Sequence, residues 1–184
     1  MRIAPLFVLV FLVITLSGCV GHVKSSVVSF HKMPDDVNTE KFSVVPSEDQ
    51  GDSIEFSTYS TLLSDKLTEY GWVETTVEDA DFLVTLRYSI GDGRDSSRTV
   101  PNYNSGITTV YNSTSYSRTV IVEVISTDVS DSGVQEKIYE GRVTSRGSSS
   151  EIAVVMPTFI EALFKNFPGK SGKTKKVLMF RVKD

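Results

Sequence analysis

The segment Ser117–Thr127 restricts most what this chain can become. Val120, Val122 and Val124 alternate with Ile121 and Ile125, so an extended backbone there is apolar on both faces. Such a strand belongs in the middle of a sheet. Asp81–Ile90 keeps a cleaner two-residue period: Phe82, Val84, Leu86, Tyr88 and Ile90 share one face, and Arg87 and Ser89 the other. Val27–His31, Lys41–Val45, Lys137–Ser145 and Lys176–Val182 read as further strands, with a turn-prone Met33-Pro34-Asp35-Asp36 between the first two.

Two stretches carry the helical period instead. Asp52 and Glu55 form a capping-box pattern ahead of Phe56, Tyr59, Leu63, Leu67 and Tyr70, with Leu62 widening the stripe. Gly71 supplies a left-handed stop. A second box, Ser148 to Glu151, opens a helix with Ile152, Val155, Phe159, Leu163 and Phe167 on one side. Pro157 falls inside it and should kink it or displace its start, and Pro168-Gly169 ends it. The Ser-, Thr-, Asn- and Tyr-rich stretch at about 91–117 is long for a structureless loop, which predicts extended hairpin arms with a mobile tip. The order of elements predicts an α+β fold, a mostly antiparallel sheet with two amphipathic helices on one face. With 184 residues, 40% of them hydrophobic, one domain with a real core is expected.

The chain has one cysteine, which excludes an intrachain disulfide and a cysteine-rich zinc cage. Its position is more informative. Arg2 is followed by an uncharged run, Ile3–Leu16, too short for a permanent membrane helix and typical of a secretory leader. The run ends in Leu16-Ser17-Gly18-Cys19, which closely resembles the lipobox of bacterial lipoproteins. That resemblance implies a lipoprotein signal peptide over 1–18, cleavage before Cys19, and acylation (palmitate among the chains) of the Cys19 thiol and amino group. Two or three acyl chains hold a protein firmly at a bilayer. Val20 rather than Asp follows the cysteine, which by the sorting habit of such lipoproteins implies the outer membrane of a Gram-negative-type envelope. Residues 19–26 are expected to be the lipidated N-terminus and a short tether, and 27–184 a single domain close to the membrane.

Catalytic chemistry is sparse. His22 falls in the expected tether and His31 at the end of a strand, with no Gly-x-Ser-x-Gly elbow to pair with it. His-x-x-x-His and paired cysteines are absent, so no metal or other cofactor is expected. Gly169-Lys-Ser-Gly-Lys-Thr174 superficially resembles a phosphate loop but has Phe167 where the first glycine belongs, and reads as a flexible turn. Glu78-Asp79-Ala80-Asp81 and Asp35-Asp36 could supply paired acids for glycan hydrolysis, although both sit at expected turns. Asp92-Gly93-Arg94-Asp95 lacks the other ligands of a calcium loop and also reads as a turn. Residues 165–184 carry seven basic residues and one acid, whereas 20–164 carry eleven basic and twenty-two acidic. The basic tail reads first as a solvated strand edge guarded by lysines, and second as a surface leaning on anionic headgroups. The acidic whole argues against nucleic acid. Tyr103, Tyr111 and Tyr116 among Ser and Asn suit a plain surface hairpin, or contact with a partner or glycan.

Several phrases resemble a group of bacterial envelope lipoproteins known as domain of unknown function 4136. They are the lipobox, Leu67-Thr-Glu-Tyr-Gly-Trp72, Ala80-Asp-Phe-Leu-Val84, Ser117-Arg-Thr-Val-Ile-Val-Glu-Val124, Tyr139-Glu-Gly141 and Ala162-Leu-Phe-Lys-Asn-Phe-Pro168. The resemblance implies an α+β lipoprotein domain and carries over no catalytic residue. The expected function is a non-enzymatic binding or scaffold module facing the periplasm, anchored to the membrane, with an envelope protein or glycan as partner. The rival expectation is an envelope hydrolase acting on glycan through Asp79 and Asp81.

Overall fold

The computed structural model describes residues 22–33, 40–47, 50, 51, 53–129 and 135–180. Cys19, Asp35, Asp36 and Asp52 lie outside them. Among the described residues, eight strands and two α-helices follow in the order β1 (His22–His31), β2 (Lys41–Pro46), α1 (Ile54–Glu69), β3 (Val73–Glu74), β4 (Phe82–Ile90), β5 (Arg94–Asn102), β6 (Ile107–Val129), β7 (Gln135–Gly147), α2 (Met156–Phe164) and β8 (Lys175–Phe180). The fold is mixed α+β. Across the main sheet the strands run β3-β2-β4-β6-β7-β1-β8, while β5 pairs only with β6. The doubly apolar segment is the C-terminal half of β6, hydrogen-bonded to β4 on one edge and β7 on the other. Strand β2 runs parallel to β4 because α1 carries the chain back to the end from which β2 started.

Alternation along each strand puts Phe42, Val84, Leu86, Val120, Val122, Val124, Tyr139 and Val143 on one face, all buried. Both helices contribute to the same core. From α1 come Phe56, Tyr59, Leu63 and Leu67. Helix α2 is buried nearly all round, with Met156, Phe159, Ile160, Ala162, Leu163 and Phe164 enclosed, so it is less an amphipathic stripe than a core helix. The helices are tied by Lys66, whose Nζ lies 2.7 Å from a Glu161 carboxylate oxygen. The Tyr70 hydroxyl also donates to the Phe164 carbonyl. Gly141 leaves room for the Tyr139 ring, whose Cε1 would lie 2.8 Å from an added Cβ.

Four expectations change. The segment expected as tether is already strand from His22, paired to β8 from His22 and to β7 from Ser25. Ser53 caps α1, its Oγ accepting from the Phe56 amide at 3.0 Å; the carboxylate of Glu55 accepts from the Tyr59 hydroxyl instead. Helix α2 starts at Met156, so Pro157 displaces the start, and Ile152 and Val155 pack from the turn before it. Proline lacks an amide hydrogen and is tolerated only in the first turn, where that amide would be unpaired. Arg94 and Asp95 open β5 rather than forming a turn.

Among the described residues, no helix is long and apolar enough to cross a membrane.

Candidate functional site

Among the described residues no helix covers the second face of the sheet, and its chemistry is divided between two regions. At its middle, Glu123 is nearly buried and accepts from Lys137 Nζ at 2.5 Å, Arg87 Nη2 at 2.7 Å and Thr85 Oγ1 at 3.2 Å. Its cross-strand neighbour is another acid, Glu140, which Lys137 and Arg142 hold at 3.5 and 3.2 Å. Burial opposes the charge on Glu123. The hydrogen bond and charge of Lys137, then the Arg87 charge and the Thr85 hydroxyl, outweigh it and hold the carboxyl below the usual range. The Glu123 hydrogen bond likewise raises Lys137 above the ordinary lysine value, against its partial burial. A carboxylate so neutralised is a weak base, and the cluster works as a clamp across β4, β6 and β7.

Further along the same face lies a concavity of about 490 Å³. Lys24 and Ser26 of β1, Thr144 and Arg146 of β7, Ser117 of β6, and Lys176 and Leu178 of β8 line it. None of its three cations has a carboxylate within ion-pairing distance among the described residues. At the same end of the sheet, β6 outruns its partner: Tyr116 pairs with Gly147, and beyond that β6 pairs only with β5, from Arg94↔Ser115 to Asn102↔Ile107. Nine paired rows make an arm about 30 Å long at ~3.4 Å per residue. Every residue from Gly91 to Thr114 is exposed. The tip, Tyr103–Gly106, is closed by the Asn102 carboxamide, which accepts from the amides of Asn104 and Ser105. Tyr103 is 92% exposed, and Tyr111, Ile107 and Val110 also stand free. Tyr116 is partly buried at the base.

The other residues singled out in the sequence are scattered. His22 stacks on Phe180 with ring centroids 4.6 Å apart. His31 Nε2 donates to the Gly169 carbonyl at 3.0 Å. The Gly169–Thr174 turn is stitched to β1 by that bond, by the His31 amide to Ser171 Oγ and by the Gly172 amide to the Ser29 carbonyl. Asp79 ends a short 3₁₀ turn, Val77–Asp79, and Asp81 Oδ2 accepts from the Lys41 amide at 3.1 Å. Both acids are exposed, at the end of β4 opposite the arm. Among the described residues, no three His, Cys, Asp or Glu side chains converge as metal ligands. No local sequence signal marks the groove, because its residues are ordinary surface types on four strands. Only the register brings them together.

The profile described as "Domain of unknown function (DUF4136)" matches residues 26–169. The chain belongs to this family. The DUF4136 match runs from β1 through α2 and includes the whole arm. No curated protein matches this chain. Among solved structures, a PDZ domain protein from Parabacteroides distasonis is similar at 10% identity and a TM-score of 0.53, over 86% of this chain and 39% of that one. The likeness extends to the fold, and this chain spans well under half of that protein. PelC dodecamers from Paraburkholderia phytofirmans, in two crystal forms, align over 80% of this chain and 99% of theirs, at 12% and 10% identity and TM-scores of 0.46 and 0.43.

Proposed function

We propose that this DUF4136 chain is a lipid-anchored lipoprotein of the bacterial envelope. Its domain is a non-enzymatic binding or scaffold module at the outer membrane, facing the periplasm. On this reading residues 1–18 are the signal peptide, acylated Cys19 is the anchor, and a mostly antiparallel sheet displays the contact surface. The lipobox supports the anchor. The observation that carries the binding role is the arm, Arg94–Asn102 paired with Ile107–Ser115, exposed on both faces from Arg94 to Thr114. A two-stranded ribbon is marginal in water by itself, and tyrosine among Ser, Asn and Thr makes adaptable contact surface. The partner is an envelope protein or a glycan strand.

A photo-crosslinking residue in place of Tyr103 or Tyr111, in intact envelopes at native expression, should give a discrete adduct. The same probe at Glu69, the exposed last residue of α1, should give none. No reproducible adduct from the arm would sink the binding role. For the anchor, Cys19→Ser should leave the precursor uncleaved and free of fatty-acid label, and normal processing would refute it. The hydrolase alternative is met by a glycan-hydrolysis screen: activity abolished by Asp79→Asn or Asp81→Asn would overturn the non-enzymatic reading.

A further inference from the structure

The groove on the open sheet face lies where an anchored chain would meet its membrane. Lys24 is five residues from Cys19 in sequence, at most about 18 Å of chain at 3.3–3.6 Å per residue. The chain as a whole is acidic, with a net charge of −4, yet Lys24, Arg146 and Lys176 gather in one concavity. The register explains the gathering. Lys24 pairs with Leu178 and Ser26 with Lys176 across β1 and β8, while Arg146 pairs with Ser117 across β7 and β6. No acid interrupts these rows. Glu123 and Glu140 on this face are already occupied by Arg87, Lys137 and Arg142.

The hydroxyls of Ser26, Ser117 and Thr144 sit among the three cations. Three ammonium or guanidinium groups with interspersed hydroxyls match the non-bridging oxygens of a phosphate, which accept hydrogen bonds and carry the charge. Beside the groove, Leu178 and Phe180 are 56% and 64% exposed on the same face of β8. Exposed apolar side chains next to cations are the composition of a surface that rests on a bilayer interface.

We infer that this groove holds the phosphate of an anionic phospholipid headgroup, seating the domain against the leaflet that carries its anchor. The inference rests on the anchored reading above and adds to it the chemistry of the membrane contact. It also moves Lys176 from the guard of a strand edge to a ligand-facing position.

The test uses the acylated full chain reconstituted into vesicles of phosphatidylcholine alone or with phosphatidylglycerol. A membrane-impermeant amine reagent and mass spectrometry then read lysine labelling. A cation near an anionic surface gains about fivefold in occupancy. Labelling of Lys24 and Lys176 should therefore slow at least about fivefold in phosphatidylglycerol vesicles, with Lys41 unchanged. Lys24→Glu with Lys176→Glu should abolish any preference of the domain for the anionic vesicles. Equal labelling in the two vesicle types would overturn the inference. So would protection by inorganic phosphate in phosphatidylcholine vesicles without protection by phosphatidylglycerol, which would assign the groove to a free anion. The Cys19 peptide in the same digest reads the anchor separately: a missing acyl mass counts against the anchor, unchanged lysine labelling against the groove.

Discussion

Glu123 interrupts the apolar C-terminal half of β6, and its surroundings explain why a charge is tolerated there. Its carboxylate is shared by cations from β4 and β7, so one residue locks three strands in register. Glu123→Gln leaves Arg87 and Lys137 facing each other across a neutral amide. Removing one partner of a fully buried pair costs about 3–5 kcal/mol. Here Arg87 and Lys137 are 38% and 43% exposed, so water screens them and a loss of about 1–2 kcal/mol is expected at neutral pH. The pH dependence follows from the shifts. A carboxyl held below its unfolded value contributes stability that is full above that value and is lost as the pH falls through the folded one. Lys137, raised in the fold, contributes below the ordinary lysine value and loses that contribution as the pH rises through its folded one. Urea unfolding of the native chain and Glu123→Gln should thus differ most near neutrality and converge in strong acid. A gap that persists undiminished at pH 3 would show that Glu123 acts through packing. The sequence disclosed half of this cluster: Arg87 reads as lying off the apolar face of β4. That it meets Glu123 depends on the register Thr85↔Glu123 and Arg87↔Ile121, which no local pattern encodes.

The elements show which local signals survive tertiary context. Helix α1 was legible because several signals agree: a continuous apolar stripe, Gly71 at φ 89°, and capping residues just ahead of the stripe. Its cap is displaced by one residue only, to Ser53. Ser53→Ala removes the acceptor of the Phe56 amide and should cost about 1 kcal/mol, seen as a lower urea midpoint with unchanged slope. No change in midpoint would mean that water replaces the serine. Helix α2 was legible in kind but not in its start. Ser149 Oγ there accepts from the Glu151 amide at 3.1 Å, closing a local serine turn instead of a helix cap. A capping box and a serine turn draw on the same residue types, and Pro157 decides between them by setting where the helix begins. The parallel β2–β4 pair was not read from the strands themselves, since both alternate like antiparallel ones; the crossover through α1 imposes it.

At the scale of the molecule, the N-terminal end of β1, the basic groove and the base of the arm share one end of the sheet. Ser25↔Ser145 and Tyr116↔Gly147 fix that placement, since both rows close on the last residues of β7. The helices and their core lie on one face of the sheet, so the fold is free to vary at this end without disturbing the packing. The arm should then be separable from stability. Joining Arg94 to Ser115 by Asn-Gly in place of residues 95–114 keeps the last arm pair and supplies the turn type that two-residue hairpins favour. None of the removed side chains is buried, and surface changes of this kind move stability by about 0.5 kcal/mol or less. The melting temperature should accordingly shift by no more than about 2 °C. The shortened chain should still be processed and acylated at Cys19, yet no longer yield the arm's partner in native-envelope crosslinking. A collapse in melting temperature would show that the arm supports the core. Unaltered partner capture by a stably folded, shortened chain would move the binding role off the arm and onto the rest of the domain.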